Sequence, residues 1–254
     1  MVGKIVSIFR KILRKDRFRF DYRSDGFAVR NKNLGFMSDK KFDDAYQWSL
    51  NFEFEGRKSP WAAERLDIRW RAHICVWAVK QALSLEGDLV ECGVDSAILA
   101  GTIAKYFDFT SLASRNYYLF DTFDGIPLVE NMTSVEESNR DFLNKKFYFE
   151  SLHFVERKME KFENIKIVKG FLPDTLSEIK DRKISFLSVD LNNTPSEKAV
   201  IERLWGQLVL GAIVVIDDYA FRGHETQYEM WNTFSKQNDR MIATLPTGQG
   251  LLLK

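Results

Sequence analysis

The sequence has few residues that cross-link a chain or bind metals through sulfur. It contains 2 cysteines, Cys75 and Cys92, and 3 histidines, His73, His153 and His224. Two thiols cannot build a disulfide scaffold or a zinc site with four thiolates, and the histidines lack the close spacing of a helical zinc motif. The low cysteine content predicts a protein of a reducing compartment, and we expect it in the cytoplasm.

Long apolar runs and an excess of one charge are also missing. No stretch reaches the roughly 18 uninterrupted apolar residues that a membrane-spanning helix needs. Lys and Arg number 37 against 36 Asp and Glu, and a formal net charge of +1 argues against a dedicated nucleic-acid binder. Because 45% of the residues are hydrophobic and 14% are aromatic, the chain can form a sizeable core, which excludes wholesale disorder.

Residues 2–15 are basic and amphipathic. Their apolar side chains recur at helical spacing, and cations such as Lys4, Arg10 and Lys11 interrupt every apolar run, so the segment lacks the core of a signal peptide. Such a helix can lie on an anionic membrane surface, or it can pack on its own domain or on a second subunit. We favour the subunit contact, hence a homo-oligomer, and keep peripheral membrane binding through residues 1–15 as the alternative.

The chain changes character near Pro60. Residues 16–59 are polar and irregular, with one short helix expected near Asp43–Phe52, whereas the segment from Pro60 to Leu83 predicts one long helix with an apolar stripe for core packing. We therefore predict a basic helix with a cap or arm over residues 1–59 and a main domain over residues 60–254.

Beyond Leu83, predicted strands alternate with predicted helices. Several strands are continuous apolar runs, which is typical of parallel strands covered on both faces. The order predicts an α/β fold: a doubly wound, mostly parallel sheet of seven strands, with helices on both faces and a helical or loop-rich N-terminal arm. The predicted strands are Asp88–Cys92, Asn116–Phe120, Ile165–Lys169, Ile184–Val189, Ala212–Ile216, Met241–Leu245 and Gly250–Leu253, and the predicted helices cover residues 95–106, 195–208 and 224–237. Residues 127–163 form an aromatic-rich insertion that is well placed to cap a pocket.

Ligands of a doubly wound sheet bind at the carboxyl ends of its strands. The first predicted strand runs into residues 91–96, ECGVDS, where Gly93 is the one glycine before Gly101. The G-x-G-x-x-G turn that cradles a pyrophosphate is therefore missing, and so is a GxxxxGK[ST] segment. These absences argue against NAD, FAD and nucleoside triphosphates and favour a ligand without phosphates.

The second predicted strand is followed by Asp121, in the segment LFDTFDGIP. A carboxylate at this position can accept hydrogen bonds from both hydroxyls of a ribose, and the alternative is a cap for the following helix. An acidic residue here, together with a first turn unsuited to phosphate, fits S-adenosylmethionine.

Three further aspartates follow the fourth and fifth predicted strands: Asp190 in SVDLNNT, and Asp217 and Asp218 in VIDDYAF. Neighbouring carboxylates repel one another unless a cation lies between them, and Mg²⁺ prefers oxygen ligands. The pattern predicts an Mg²⁺ site that orients an acceptor hydroxyl and lowers its pKa. The alternative for the Asp217–Asp218 pair is an ordinary turn or cap.

Six segments, in the order GDLVECGV, YYLFDTFDGIP, KGFLPDTL, SVDLNN, LGAIVVIDDYAFRGH and LPTGQGLLLK, resemble the macrocin O-methyltransferase (TylF/MycF) family. The resemblance extends from Asp67 to Lys254. It implies the class I methyltransferase fold for residues 60–254, S-adenosylmethionine and Mg²⁺ as cofactors, and a sugar hydroxyl on a small molecule or glycan as the acceptor.

The same resemblance assigns site residues. Those of the cofactor site are Glu91, Gly93, Val94, Asp95, Ser96, Asp121, Thr122, Gly170, Phe171, Asp174 and Asp190, of which Gly170, Phe171 and Asp174 lie near the adenine. Asp190, Asp217 and Asp218 fall on the metal positions.

The sequence departs from the family pattern at two places. Many members have a further glycine where this chain has Ser96 and Ala97. Asn192 stands where the antibiotic-sugar members have a second aspartate, proposed as the general base, and an amide cannot take a proton. His224 is the candidate substitute for that base, and the alternative is a solvent-exposed residue at a helix N-terminus. We include Asp190, Asn192 and His224 among the candidate catalytic residues.

The sequence therefore predicts an S-adenosylmethionine-dependent and Mg²⁺-dependent O-methyltransferase that acts on a sugar hydroxyl. Two alternatives stay open. The acceptor can be a non-sugar hydroxyl or an amine, or the chain can be a degenerate methyltransferase fold that binds cofactor or glycan without turnover. Asn192 is the feature that keeps the second alternative open.

Overall fold

The computed structural model describes residues 20–64, 66–112 and 114–254. The predicted helix of residues 2–15 lies outside these ranges, so its contact with a membrane or a second subunit stays a prediction. Within these ranges, no helix combines the length and the apolar character needed to cross a membrane.

Residues 20–59 form two short hairpins and one helix. β1 (Tyr22–Ser24) pairs with β2 (Phe27–Val29), helix α1 covers Lys40–Leu50, and β3 (Glu53–Phe54) pairs with β4 (Arg57–Lys58). The side chain of Asp39 caps α1 by accepting from the backbone N–H groups of Lys41 and Phe42. Phe42 and Tyr46 of α1 are buried in the main hydrophobic core, so this helix packs on the domain that follows.

The prediction of one long helix over residues 60–83 is wrong. The structure has a short helix α2 (Pro60–Ala63) and a separate helix α3 (Arg69–Ala82). Between them, the Asp67 carboxylate accepts from the backbone N–H of Arg69 at 3.0 Å, and the Tyr46 hydroxyl accepts from the backbone N–H of Ile68 at 3.0 Å. These bonds satisfy N–H groups that open a new helix, so contacts from the arm interrupt an apolar spacing that continues in the sequence.

A seven-stranded sheet carries the rest of the chain. Its strands are β5 (Asp88–Cys92), β6 (Tyr117–Asp121), β7 (Ile165–Lys169), β8 (Ile184–Val189), β9 (Leu208–Ile216), β10 (Ala243–Thr244) and β11 (Gly250–Leu253). Their order across the sheet is β10-β11-β9-β8-β5-β6-β7, with β5 to β9 paired in parallel and β10 and β11 antiparallel at one edge. The predicted fold class is confirmed. The strand order reverses between β5 and β8, which places a ligand crevice at their carboxyl ends.

Helices cover both faces of this sheet and enclose two hydrophobic clusters. The remaining helices are α4 (Ile98–Phe107), α5 (Ser134–Lys146), α6 (Leu152–Met159), α7 (Thr194–Leu204) and α8 (Glu225–Gln237). Helices α1, α3, α4 and α6 contribute to one cluster, and α7 and α8 to the other. Every residue of β5 and β8 is buried, as expected for central parallel strands covered on both faces, although β5 contains Asp88 and Glu91 and β8 contains two serines.

Candidate active site

A cavity of about 330 Å³ opens at the carboxyl ends of β5, β6, β8 and β9. Most of the residues predicted for the site line it: Glu91, Gly93, Val94, Asp95, Asp121, Thr122, Gly170, Asp190, Asn192, Asp217, Asp218 and His224. Three predicted residues do not line it. Ser96 is fully buried, with its hydroxyl oxygen 2.8 Å from that of Ser59, and Phe171 and Asp174 are exposed. The cofactor roles of all these residues stay predictions.

The first turn brings the backbone of β5 against that of β8. Gly93 has a φ of +89°, and a Cβ atom there would lie 1.8 Å from the carbonyl oxygen of Asp190. Glycine is therefore required at this position. Ala97, the second residue of the Ser96-Ala97 pair at which the sequence departs from the family pattern, adopts a left-handed φ of +56°. The turn thus has, at an alanine, a backbone conformation that favours glycine.

Asp121 ties the tip of β6 to this turn. One carboxylate oxygen, Oδ2, accepts from the backbone N–H groups of Val94 at 2.5 Å and Asp95 at 2.9 Å. The other, Oδ1, accepts from the backbone N–H of Phe123 at 2.6 Å. A carboxylate has about four acceptor positions, so these three bonds leave about one for a ribose hydroxyl. Asp121 also fixes the shape of the turn, a role the sequence did not indicate.

Asp95 lines the cavity and has one buried carboxylate oxygen without a hydrogen-bond partner. Its Oδ2 accepts from Trp61 Nε1 and from the Ser96 hydroxyl, both at 3.0 Å. Its Oδ1 is buried and has no hydrogen-bond partner. Burial raises the pKa of Asp95 to about 6. An orphaned buried carboxylate oxygen is costly unless a ligand satisfies it, and a cationic group has the matching charge.

Glu91 lies deeper, on β5 itself. Burial raises the pKa of Glu91 to about 8, although the Tyr117 hydroxyl donates to its carboxylate. At neutral pH this side chain is therefore mainly protonated and can donate a hydrogen bond as well as accept one.

The three aspartates predicted to bind Mg²⁺ are brought together, and an arginine lies among them. Arg71, on α3, forms ion pairs through Nη1 with Asp217 and with Asp218, the latter at 3.2 Å. Asp190 accepts from the Asn192 amide at 2.7 Å, and burial, then the charges of Asp217 and Asp218, raise its pKa. Within the described residues, no three His, Cys, Asp or Glu side chains are arranged to hold one metal ion. Their oxygen chemistry suits Mg²⁺, but their observed arrangement around Arg71 does not fit it.

His224 faces the same cavity from the start of α8. Its Nδ1 lies 2.6 Å from Oε1 of Gln227, and its Nε2 lies 3.8 Å from Oδ2 of Asp218. Gln227 in turn donates through Nε2 to Glu197 at 2.7 Å. The His224 side chain is 11% exposed, so the expected alternative of a solvent-exposed histidine is wrong.

The insertion over residues 127–163 supplies one wall. Pro127, Leu143, Tyr148, Phe149 and Ser151 from this segment line the cavity. Burial raises the pKa of Tyr148, so its phenol stays protonated and can donate a hydrogen bond. Glu136 anchors α5 by accepting, through Oε1, from the backbone N–H of Thr194 at 2.7 Å and from the hydroxyl of Thr226 at 3.2 Å. The insertion is therefore fastened to the N-terminal ends of α7 and α8.

Sequence reasoning did not single out Arg71, Asp25 or Gln227 as site residues. Arg71 lies in an apolar-striped helix, Asp25 in a polar hairpin turn, and Gln227 in the first turn of a helix. Each acquires its role from a partner that is distant in the sequence, and no local pattern marks it.

The family model described as Macrocin-O-methyltransferase (TylF) matches residues 63–244. Among solved structures, the O-methyltransferase NovP has a TM-score of 0.62 at 19% identity, over 72% of this chain and 79% of NovP. The calicheamicin methyltransferase CalS11 has a TM-score of 0.56 at 16% identity, over 88% of this chain and 94% of CalS11. The apo structure of CalS11, described as TDP-rhamnose 3′-O-methyltransferase, has a TM-score of 0.51 at 16% identity, over 88% and 96%. At these identities the likeness shows the fold. No curated protein matches the sequence.

Proposed function

The chain belongs to the macrocin-O-methyltransferase (TylF) family and is an S-adenosylmethionine-dependent O-methyltransferase, and we propose that its acceptor is a hydroxyl group of a sugar or of a glycosylated small molecule. The proposal depends most on His224, which lines the cavity with Nε2 3.8 Å from Oδ2 of Asp218, because a histidine there can take the proton that a hydroxyl acceptor loses. The name of CalS11, a TDP-rhamnose 3′-O-methyltransferase, supports a sugar acceptor.

The cofactor end of the cavity is proposed to be formed by the first turn and the tip of β6. When bound, S-adenosylmethionine would supply a methyl group on a positively charged sulfur, so that the methyl carbon could pass to an acceptor oxygen while the thioether leaves with the carbon–sulfur electron pair. Gly93 allows the close backbone approach that the turn needs. We propose that Asp121 accepts from a ribose hydroxyl and that Oδ1 of Asp95, which has no partner in the protein, accepts from the α-ammonium group. The main contribution of the protein is to orient the two reactants.

His224 is proposed to take the proton from the acceptor hydroxyl. Because the Gln227 amide nitrogen donates to Glu197, its oxygen Oε1 must face His224. The neutral imidazole then carries its proton on Nδ1 and leaves a lone pair on Nε2. That nitrogen is oriented toward Asp218, which can stabilise the imidazolium once the proton has moved. The proton leaves to water after the methylated product departs.

Asn192 is proposed to orient rather than to act as a base. Its amide donates to Asp190 at 2.7 Å, and its left-handed φ of +57° is a conformation that asparagine adopts more readily than most residues. The amide cannot accept the hydroxyl proton. A chain with Asn192 therefore retains an ordered carboxylate at Asp190 while His224 performs proton transfer.

Magnesium bound by Asp190, Asp217 and Asp218, as the sequence predicts, is a competing proposal for the acceptor end of the site. The three carboxylates offer the oxygen ligands that Mg²⁺ prefers. For the ion to bind, however, Arg71 would have to leave Asp217 and Asp218. No step of the reaction proposed here depends on the metal.

The acceptor class is tested by incubating the purified chain with radiolabelled S-adenosylmethionine and a panel of acceptors. The panel contains sugar nucleotides, glycosylated small molecules, a catechol and a primary amine. We expect label in one or more sugar-bearing acceptors at sugar oxygen. Label confined to the catechol or the amine would contradict the proposal.

A further inference from the structure

Arg71 is pinned between two parts of the molecule that are far apart in the sequence. Through Nη1 it pairs with Asp217 and Asp218 at the end of β9, and through Nε and Nη2 it pairs with both oxygens of Asp25 at 2.7 and 3.1 Å. Asp25 lies in the turn of the β1–β2 hairpin. The Arg71 side chain is 12% exposed.

The other contacts of this cluster also hold the guanidinium in place. The guanidinium carbon lies 4.6 Å from the ring centre of Phe221, in a cation–π arrangement. Asp217 receives a second donor, because Gln249 Nε2 donates to its Oδ1 at 2.9 Å. Both oxygens of Asp217 are therefore approached by N–H donors from the protein.

The Arg71 guanidinium occupies the position between Asp217 and Asp218 that a metal ion would need. Mg²⁺ lies about 2.1 Å from each ligand oxygen and demands a near-octahedral arrangement. An ion between Asp217 and Asp218 would compete with Nη1 of Arg71 for the same two carboxylates and would be repelled by its charge. Moving Arg71 aside would also break the two-bond pair with Asp25, whose side chain is 11% exposed. A buried charge that loses its partner is strongly destabilising.

We propose that Arg71 is the resident counter-ion of Asp217 and Asp218, and that it takes the place of a divalent metal ion in this enzyme. Arg71 is a positioning residue: it fixes Asp218 so that Oδ2 faces His224 and leaves the methyl transfer independent of Mg²⁺. The same guanidinium also pairs with Asp25 and so holds the β1–β2 hairpin against the site. Through Asp25, this hairpin lines part of the cavity. This inference rests on the proposed function of the same site.

The test uses the full chain after EDTA treatment and dialysis. Wild type, Arg71→Gln and Arg69→Gln are titrated with MgCl₂ by calorimetry and followed by thermal unfolding with and without MgCl₂. Arg69 is the matched control, because it lies on the same helix and pairs with Asp67 outside the cavity. We expect no Mg²⁺ binding and no shift of Tm for wild type and Arg69→Gln. Arg71→Gln leaves Asp217 and Asp218 without their cation and is expected to gain Mg²⁺ binding and an Mg²⁺-dependent rise in Tm.

Stoichiometric Mg²⁺ binding by wild type, or loss of its turnover in excess EDTA, would overturn the proposal. So would an Arg71→Gln chain that folds without gaining Mg²⁺ binding. If that variant does not fold, Arg71→Lys, which keeps the charge and loses the forked geometry, must stay unresponsive to Mg²⁺, and a response overturns the proposal. S-adenosylhomocysteine binding is measured on the same samples. A wild type that binds this ligand and not Mg²⁺, yet methylates no sugar, would refute the acceptor proposal and leave the role of Arg71 intact.

Discussion

Oε1 of Gln227 lies 2.6 Å from Nδ1 of His224, and the position of the Gln227 amide nitrogen against Glu197 fixes which end of the amide faces the imidazole. Glu197 is itself held by the indole N–H of Trp231, which donates to it at 2.7 Å. A buried network of this kind determines the tautomer of the histidine without touching the substrate.

Replacement of Gln227 by leucine should therefore allow His224 to adopt both neutral tautomers. We expect kcat to fall about 10-fold, because the change removes one ordinary hydrogen bond, while the affinity for S-adenosylhomocysteine stays unchanged. Nitrogen-15 spectra of histidine-labelled protein check the cause, because the chain has only 3 histidines. Wild type should show His224 protonated on Nδ1, and the variant a mixture of tautomers. A wild-type spectrum with the proton on Nε2 would refute the arrangement.

Asp121 is expected to hold the cofactor ribose. Asp121→Ala should lose roughly 2–4 kcal/mol of S-adenosylhomocysteine affinity in a calorimetric titration, because it removes paired hydrogen bonds to a charged group. Part of that loss comes from the first turn, whose N–H groups at Val94 and Asp95 lose their acceptor. Asp124→Ala is the matched control, since Asp124 is exposed and three residues further on. Equal affinities for the two variants would remove Asp121 from the site.

Asp95 gives the cofactor site a pH dependence. Its pKa in the free protein is raised to about 6 by burial, and an α-ammonium group beside Oδ1 favours the ionised form. The affinity for S-adenosylhomocysteine should therefore fall as the pH drops through about 6 and below. The affinity for 5′-methylthioadenosine, which lacks the amino-acid end, should not.

The variant Asp95→Asn tests whether Asp95 contacts the ligand through its charge or only maintains the shape of the turn. The variant should bind S-adenosylhomocysteine more weakly and lose the pH dependence, while its affinity for 5′-methylthioadenosine stays close to that of wild type. An equal loss for both ligands would mean that Asp95 only shapes the turn.

Lys158 is expected to make the stability of the protein depend on pH. Its Nζ is buried and donates to the Ser96 carbonyl at 2.9 Å, and burial lowers the pKa of Lys158 to about 7. Between about pH 7 and pH 10 the unfolded chain binds a proton that the folded chain does not, so the free energy of unfolding rises with pH, by up to about 1.4 kcal/mol per pH unit.

Lys158→Met should flatten this rise in urea unfolding experiments, since it keeps the length of the side chain and removes the amine. Lys145→Met, at an exposed position of α5, should retain the wild-type slope. Parallel curves for Lys158→Met and wild type would show that the amine stays protonated in the fold.

The parts of the fold that the sequence predicts well are those that local burial determines. The bounds of β5, β7 and β8 are confirmed. β5 and β8 are buried along their whole length, as expected for parallel strands covered on both faces, whereas β7 is a partly buried edge strand. The helix predicted over residues 60–83 is wrong because its interruption depends in part on Tyr46, whose hydroxyl reaches the backbone N–H of Ile68 only when the arm has packed.

The candidate site divides in the same way. The sequence predicts Asp121, Asp190 and the Asp217–Asp218 pair as site residues because each follows a predicted strand. The topology of a parallel sheet brings such residues together at the carboxyl edge of the sheet. Arg71 could not be predicted, because its partner Asp217 lies 146 residues further along the chain. The sequence therefore predicts that these carboxylates need a cation, and the folded structure identifies Arg71 as a cation that the chain itself supplies.

We infer that this cavity performs O-methyl transfer with His224 as the base. The rate of labelled methyl transfer to the best sugar acceptor, measured for wild type, His224→Ala and His153→Ala, tests this role of His224. His153 is the matched control, since it is an exposed histidine on α6 that pairs with Glu156. We predict that His224→Ala lowers kcat by roughly 10²–10⁴-fold with unchanged S-adenosylhomocysteine affinity, and that His153→Ala keeps the wild-type rate. Wild-type turnover by His224→Ala would contradict the account.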